Sequence, residues 1–266
     1  MVSFTRERTE NGVTERLFEL TVAGERVPAV IWAPENAAGE RPLVLMGHGG
    51  SQHKKIGSIA ARARHYAQRL GYATLAIDAP GHGDRISREQ AEMLAREVGE
   101  RVRGIGGTGG PSAELMKTMA ERAQRAVPEW QAALDAAQSL DFVGRTKVIG
   151  YWGVSMGTAI GVPFVASEPR IKCAVFGLAG LRPGATALEK AAKSITIPVE
   201  FVFQWEDAVA PRETGIALFD AFASKEKTMH INPGGHVEIP NFEGNSWQSF
   251  FVRHLGIAKE AARAAA

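Results

Sequence analysis

A single α/β domain, with a mostly parallel sheet flanked by helices, is the fold class that three features of the sequence predict. The chain has 266 residues, 45% of them hydrophobic and 23% charged, which is long enough for a sizeable core and too apolar for disorder. Short apolar runs alternate with amphipathic stretches, the pattern of βαβ units. No window approaches ~20 uncharged apolar residues, so no membrane partner is expected.

The elements follow in order. Leu17 to Val22 and Val27 to Trp32, joined through a turn at Gly24, read as an antiparallel hairpin. Pro42 to Gly47 is a nearly continuous apolar run, as expected of a strand buried on both faces. A helix over Ile56 to Leu70 and a strand over Ala73 to Ile77 come next. From Arg85 to about Val127 charged amphipathic helical segments flank the stretch Gly104-Ile105-Gly106-Gly107-Thr108-Gly109-Gly110, with no apolar strand inside. Trp130 to Leu140 reads as a helix, Lys147 to Tyr151 as a strand, and Met156 onward as a helix that Pro163 bends or shortens. Strands at Ile171 to Phe176, Val199 to Phe203 and Thr228 to Ile231 continue the alternation, and Asn241 to Leu255 closes it with a helix. Ala258 to Ala266 reads as a frayed tail.

Charge excludes more than it assigns. Lys and Arg number 31 against 29 Asp and Glu, a net +2, and no basic cluster exceeds Lys54-Lys55, so nucleic acid is not expected as a partner. The one cysteine, Cys173, rules out an intramolecular disulfide and a cysteine-rich zinc site. Met1 to Arg8 has no apolar core of the ~7–15 residues a secretory signal needs, and the expectation is a cytoplasmic protein. A homodimer is left open.

Gly153-Val154-Ser155-Met156-Gly157 carries the sharpest chemistry, because it lies between a strand and a helical pattern. With 29 Gly and 12 Ser the bare G-x-S-x-G pattern arises by chance about once in seven shuffled sequences, so its placement is what counts. On a strand-to-helix turn the serine is held in a strained conformation with its hydroxyl exposed, and the following amide, that of Met156, faces a developing oxyanion. Serine at neutral pH needs an adjacent base. His236, in Asn232-Pro233-Gly234-Gly235-His236, sits after the last apolar run and before the last helix. Asp207, following the strand Val199 to Phe203, lies between the two in the chain and would orient the imidazole. Glu206 is adjacent, and a one-residue slip would present it instead. Gly47-His48-Gly49-Gly50-Ser51, at another strand end, offers a second oxyanion amide, with Gly50 the first choice and Gly49 the alternative.

Other motifs do not carry through. His48, His53 and His82 show no H-E-x-x-H or H-x-H-x-D spacing, so structural roles and no metal are expected. Gly104 to Gly109 matches G-x-G-x-x-G but follows a charged helical segment rather than a strand, which argues against a dinucleotide.

Taken together, His48-Gly49-Gly50, Asp78 to Gly83, Gly153 to Gly157, Asp207 with Val209 to Pro211, and His236 resemble the α/β-hydrolase superfamily, in its esterase and dienelactone-hydrolase-like branch. The likeness spans roughly residues 14 to 256. It implies an eight-stranded, mostly parallel sheet, a nucleophile at Ser155, an acid at Asp207, a base at His236 and no cofactor. Dienelactone hydrolases proper use cysteine, so Ser155 points toward ordinary carboxylic esters. Gln204 stands where relatives often carry glycine, three residues before the acid.

The resulting expectation is one hydrolase domain over residues 1–266, with a small helical cap inserted at 85–127. It would cleave a small-molecule ester through an acyl-enzyme on Ser155, Asp207 and His236, with the amides of Met156 and Gly50 as oxyanion donors. Asp78 and His82 are expected to hold the loop after their strand. A peptidase, amidase or thioesterase on the same triad is the alternative, and a non-catalytic binding protein on the scaffold the rival from another class.

Overall fold

In the computed structural model, which describes residues 2–104 and 113–258, the chain starts with two tight reversals. Asn11 (φ 51°) and Gly12 (φ 75°) fold β1 (Phe4–Glu10) onto β2 (Val13–Val22), and Ala23 (φ 50°) with Gly24 (φ 82°) folds β2 onto β3 (Glu25–Pro34). Two central residues with positive φ match the right-handed twist of the paired strands, which is why Asn-Gly suits the first turn. β3 then pairs antiparallel with β5 (Ala73–Ile77).

The rest of the sheet is parallel. β4 (Leu43–Gly47), β6 (Ile149–Gly153), β7 (Ile171–Gly177), β8 (Val199–Gln204) and β9 (Lys227–Asn232) complete one nine-stranded sheet in the order β1-β2-β3-β5-β4-β6-β7-β8-β9. Helices cover both faces. On one side α1 (Gly57–Leu70) and α7 (Glu243–Leu255) bury Ile59, Ala63, Tyr66, Trp247 and Phe251. On the other, α3 (Ala113–Gln138), α4 (Met156–Ser167), α5 (Thr186–Ser194) and α6 (Arg212–Ala221) bury Trp130, Leu134, Phe164, Ala192 and Leu218. α2 (Arg88–Val102) buries no residue and starts with a capping box between Ser87 and Gln90. Among the described residues no helix is long and apolar enough to cross a membrane.

Strands buried on both faces fall where the apolar runs predicted them. The sheet has nine strands rather than about eight, and β1 is the added one. Its sequence, FTRERTE, is exposed along nearly all its length. An edge strand that hydrogen-bonds to one neighbour needs no apolar face, and charges there discourage pairing with another chain. The short helices α5 and α6 are likewise additions to the elements the sequence predicted. α3 runs unbroken through Pro128 to Gln138, so the expected insert boundary at Val127 falls inside a helix. Buried Ala126, Trp130, Ala133 and Ala137 hold that helix against the core and outweigh the proline. Met156 to Ser167 likewise stays helical through Pro163. The glycine-rich stretch beyond Gly104 and the tail beyond Ala258 lie outside the described residues.

Parallel strands present all their carboxyl ends along one edge of the sheet, where loops can converge. The loops after β4, β5, β6, β8 and β9 carry Gly50, Asp78, Ser155, Asp207 and His236 respectively.

Candidate active site

Ser155 sits between β6 and α4 with φ 58° and ψ −119°, a conformation side-chain-bearing residues rarely adopt. Such strain costs on the order of 1–3 kcal/mol and persists only where neighbours over-determine it. Here they do. The Ser155 amide donates to the Gly177 carbonyl at 2.8 Å, and the Thr158 hydroxyl accepts the Gly177 amide (2.8 Å) while its own proton is shared between the carbonyls of Gly153 (2.8 Å) and Gly177 (2.7 Å). Both flanking glycines are needed for their size. A methyl group at Gly157 would lie 2.5 Å from the Gly47 carbonyl oxygen, and one at Gly153 would lie 2.8 Å from that of Gly157.

The three side chains from distant parts of the sequence meet. Ser155 Oγ lies 2.9 Å from His236 Nε2, and His236 Nδ1 lies 2.7 Å from Asp207 Oδ2. Asp207 Oδ1 accepts from the amides of Val209 (2.8 Å) and Ala210 (2.9 Å), so both carboxylate oxygens are engaged. The His236 and Asp207 side chains are buried. A carboxylate at Nδ1 holds the imidazole proton there, which leaves Nε2 bare to accept from the serine hydroxyl. Glu206 is turned elsewhere: its carboxylate takes the Gly234 amide, and its own amide donates to the Gly234 carbonyl at 3.0 Å.

The oxyanion candidates separate by their hydrogen bonds. The Gly49 amide is spent on the Gln52 side chain at 3.1 Å. Among the described residues the Gly50 amide has no acceptor, nor has that of Met156, the first residue of α4. A free amide at a helix start is a ready donor to developing negative charge.

Supporting residues surround the site: the structural roles expected of His48 and Asp78 have partners here, and Lys54, Gln204 and Glu238 had no such reading in the sequence. His48 ties the glycine loop to the loop after β5, donating from Nδ1 to the Gly49 carbonyl (2.8 Å) and accepting the Ala79 amide at Nε2 (3.0 Å). Burial, foremost, lowers its pKa to about 4, so the ring is neutral. Lys54 closes the other end of that loop. Asp78, fully buried, accepts the Lys54 amide (2.8 Å), its ammonium (2.7 Å) and the Asp84 amide (2.9 Å). Gln204 donates to the Glu238 carbonyl at 2.8 Å, and Glu238 accepts the Gly235 amide at 2.5 Å. A Gly-Gly pair before a functional histidine exposes amides that need acceptors, and this was the available signal.

α2 and α3 approach the same place. A methyl at Gly50 would lie 3.6 Å from Val98 on α2, and Arg122 on α3 reaches the Met156 sulfur at 4.0 Å.

No family model matches the chain, and no curated protein matches it in sequence. Solved structures do. A cold-adapted esterase from an Arctic intertidal metagenomic library, in its PEG-bound complex, is 33% identical over 95% of this chain and 99% of its own, with a TM-score of 0.75. A zinc-bound structure of such an esterase from the same source gives 30% identity over the same shares and a TM-score of 0.70. An acetyl xylan esterase from Paenibacillus sp. R4 shares the fold at 16% identity, covering 96% of this chain and 88% of its own, with a TM-score of 0.72. Near-complete mutual coverage at one third identity leaves one conclusion: the chain belongs to the esterases of the α/β-hydrolase superfamily.

Proposed function

We propose that this protein is a serine hydrolase that cleaves a carboxylic ester of a small substrate through an acyl-enzyme. The observation that carries the reading is the continuous hydrogen-bonded path from Ser155 Oγ through His236 to Asp207. Ser155 Oγ attacks the ester carbonyl carbon while its proton passes to His236 Nε2. The amides of Met156 and Gly50 receive the charge on the carbonyl oxygen of the tetrahedral intermediate. As the intermediate collapses, the imidazolium protonates the leaving alcohol and the acyl group stays on Ser155. Water then gives its proton to His236 and attacks the acyl carbon, and the same proton returns to Ser155 as the carboxylic acid leaves. Asp207 fixes the imidazole and stabilises its cationic form throughout. Every proton is carried by His236, so this sequence of steps calls for no cofactor.

α2 and the first half of α3 act as a cap that bounds the acyl or alcohol group. Val98 beside Gly50 and Arg122 beside Met156 support that role. Thioesters and amides pass through the same intermediate, so the triad alone does not rank them. A panel of short-chain aryl esters, acyl thioesters and aminoacyl amides tests the reading. Esters are expected to give the highest kcat/KM. Preferential turnover of the amides would overturn the assignment in favour of a peptidase or amidase, and no turnover of any would favour a binding protein.

A further inference from the structure

Three side chains unrelated to the triad meet beneath the sheet edge. Glu200 on β8, His230 on β9 and Glu243 at the start of α7 bring one donor atom each within 4.8 Å of one another. His230 Nδ1 lies 2.9 Å from Glu243 Oε2 and 4.0 Å from Glu200 Oε1. Glu243 Oε1 accepts from the Asn232 amide group at 2.8 Å, which fixes that carboxylate's orientation.

The cluster is electrostatically incomplete. Glu200 and Glu243 are 5% and 1% exposed, and neither has a Lys or Arg ion pair among the described residues. Glu200 Oε1 is buried with no hydrogen-bond partner, although it is the oxygen that faces His230. A buried polar atom without a partner costs roughly 1–3 kcal/mol, more when charged.

We propose that Glu200, His230 and Glu243 form a binding site for one divalent transition-metal ion of the zinc type. One imidazole nitrogen and two carboxylate oxygens suit zinc, with a water molecule completing four-fold coordination. Donors on a tetrahedral zinc at ~2.0–2.2 Å stand about 3.3–3.6 Å apart, so the observed separations require only sub-ångström to ångström adjustments of side chains. His230 is about one third exposed, at 34%, which gives the ion a way in. On coordination Nδ1 becomes bare and the ring keeps its one proton on Nε2. Asn232 remains behind Glu243 as the group that orients it. β8 leads to Asp207, and the segment between β9 and α7 carries His236. The ion therefore staples together the three elements that hold the base and the acid in place.

The test uses chelator-treated, buffer-exchanged full-length protein, titrated with zinc chloride and followed by calorimetry and thermal melting. The wild type is expected to take about one zinc per chain, with a Tm that rises with zinc concentration. Glu200→Gln and His230→Gln are each expected to weaken uptake by at least about tenfold, while His236→Ala retains it. Metal-free Glu200→Gln is expected to melt no lower than the wild type, because it removes a buried charge with an unpartnered oxygen, so it remains decisive if His230→Gln folds poorly. No zinc uptake by the wild type, uptake unchanged in Glu200→Gln, or uptake abolished by His236→Ala alone would each overturn the proposal.

Discussion

At Asp207 both carboxylate oxygens are taken, Oδ2 by His236 and Oδ1 by the amides of Val209 and Ala210, whereas neighbouring Glu206 bonds only the backbone of Gly234. Asp207→Asn keeps the shape but presents an amide to Nδ1 and disturbs the tautomer, so kcat should fall by on the order of 10³–10⁴. Glu206→Gln should leave kcat within about tenfold, since it alters only a loop-holding bond. Ester kinetics on the two variants separate these roles, and equal losses would contradict them. Sequence alone left this pair open because both residues follow the same strand and differ by one position. Ser155 and His236 were legible because each lies in a short glycine-rich motif at a fixed place in the strand and helix order. The choice between Gly49 and Gly50 turns on which amide Gln52 occupies, a contact no motif encodes.

Arg85 meets Glu129 on α3 through two bonds, at 2.7 and 2.9 Å, with side chains 6% and 4% exposed. Removing Glu129 leaves the buried Arg85 with only the partly exposed Glu25 carboxylate at 3.7 Å and the Asp78 carbonyl at 3.3 Å, so Glu129→Ala should cost about 3 kcal/mol in urea unfolding. Arg85→Met with Glu129→Leu should recover most of that loss, and a double variant as unstable as Glu129→Ala would show the pair to be more than a replaceable tie. Element legibility followed burial. β4, β5 and β6 are buried along their whole length and read as apolar runs. β1 is held by backbone pairing with β2 and leaves no apolar alternation to read. The continuity of α3 through Pro128 depends on tertiary packing, which local propensity does not contain. Glu200, His230 and Glu243 were invisible for a related reason: each lies on a different element, and only β8–β9 pairing and the seat of α7 unite them.

Across the molecule, the loops at the carboxyl edge of the sheet are bound to one another by buried polar groups, and this makes stability sensitive to mild acid. His48 is neutral in the folded state, its pKa lowered by burial from 6.5 to about 4. Between those values the unfolded chain binds a proton that the folded chain refuses, so stability falls as pH drops from about 6.5 toward 4, by about 3 kcal/mol at most for this residue. His82, also lowered by burial, adds to the same slope. Unfolding free energy measured from about pH 6.5 to 4 should fall with pH by a slope of up to one proton more in the wild type than in His48→Gln; equal slopes would place the linkage elsewhere. The fold brings Ser155 from the middle of the chain together with Asp207 and His236 from its last third. A fluorophosphonate probe, read by peptide mass spectrometry, tests this directly. One adduct is expected, on Ser155, with none in folded Ser155→Ala and far slower labelling in His236→Ala. Folded wild-type protein that stays unlabelled, or carries its adduct on another residue, would contradict it.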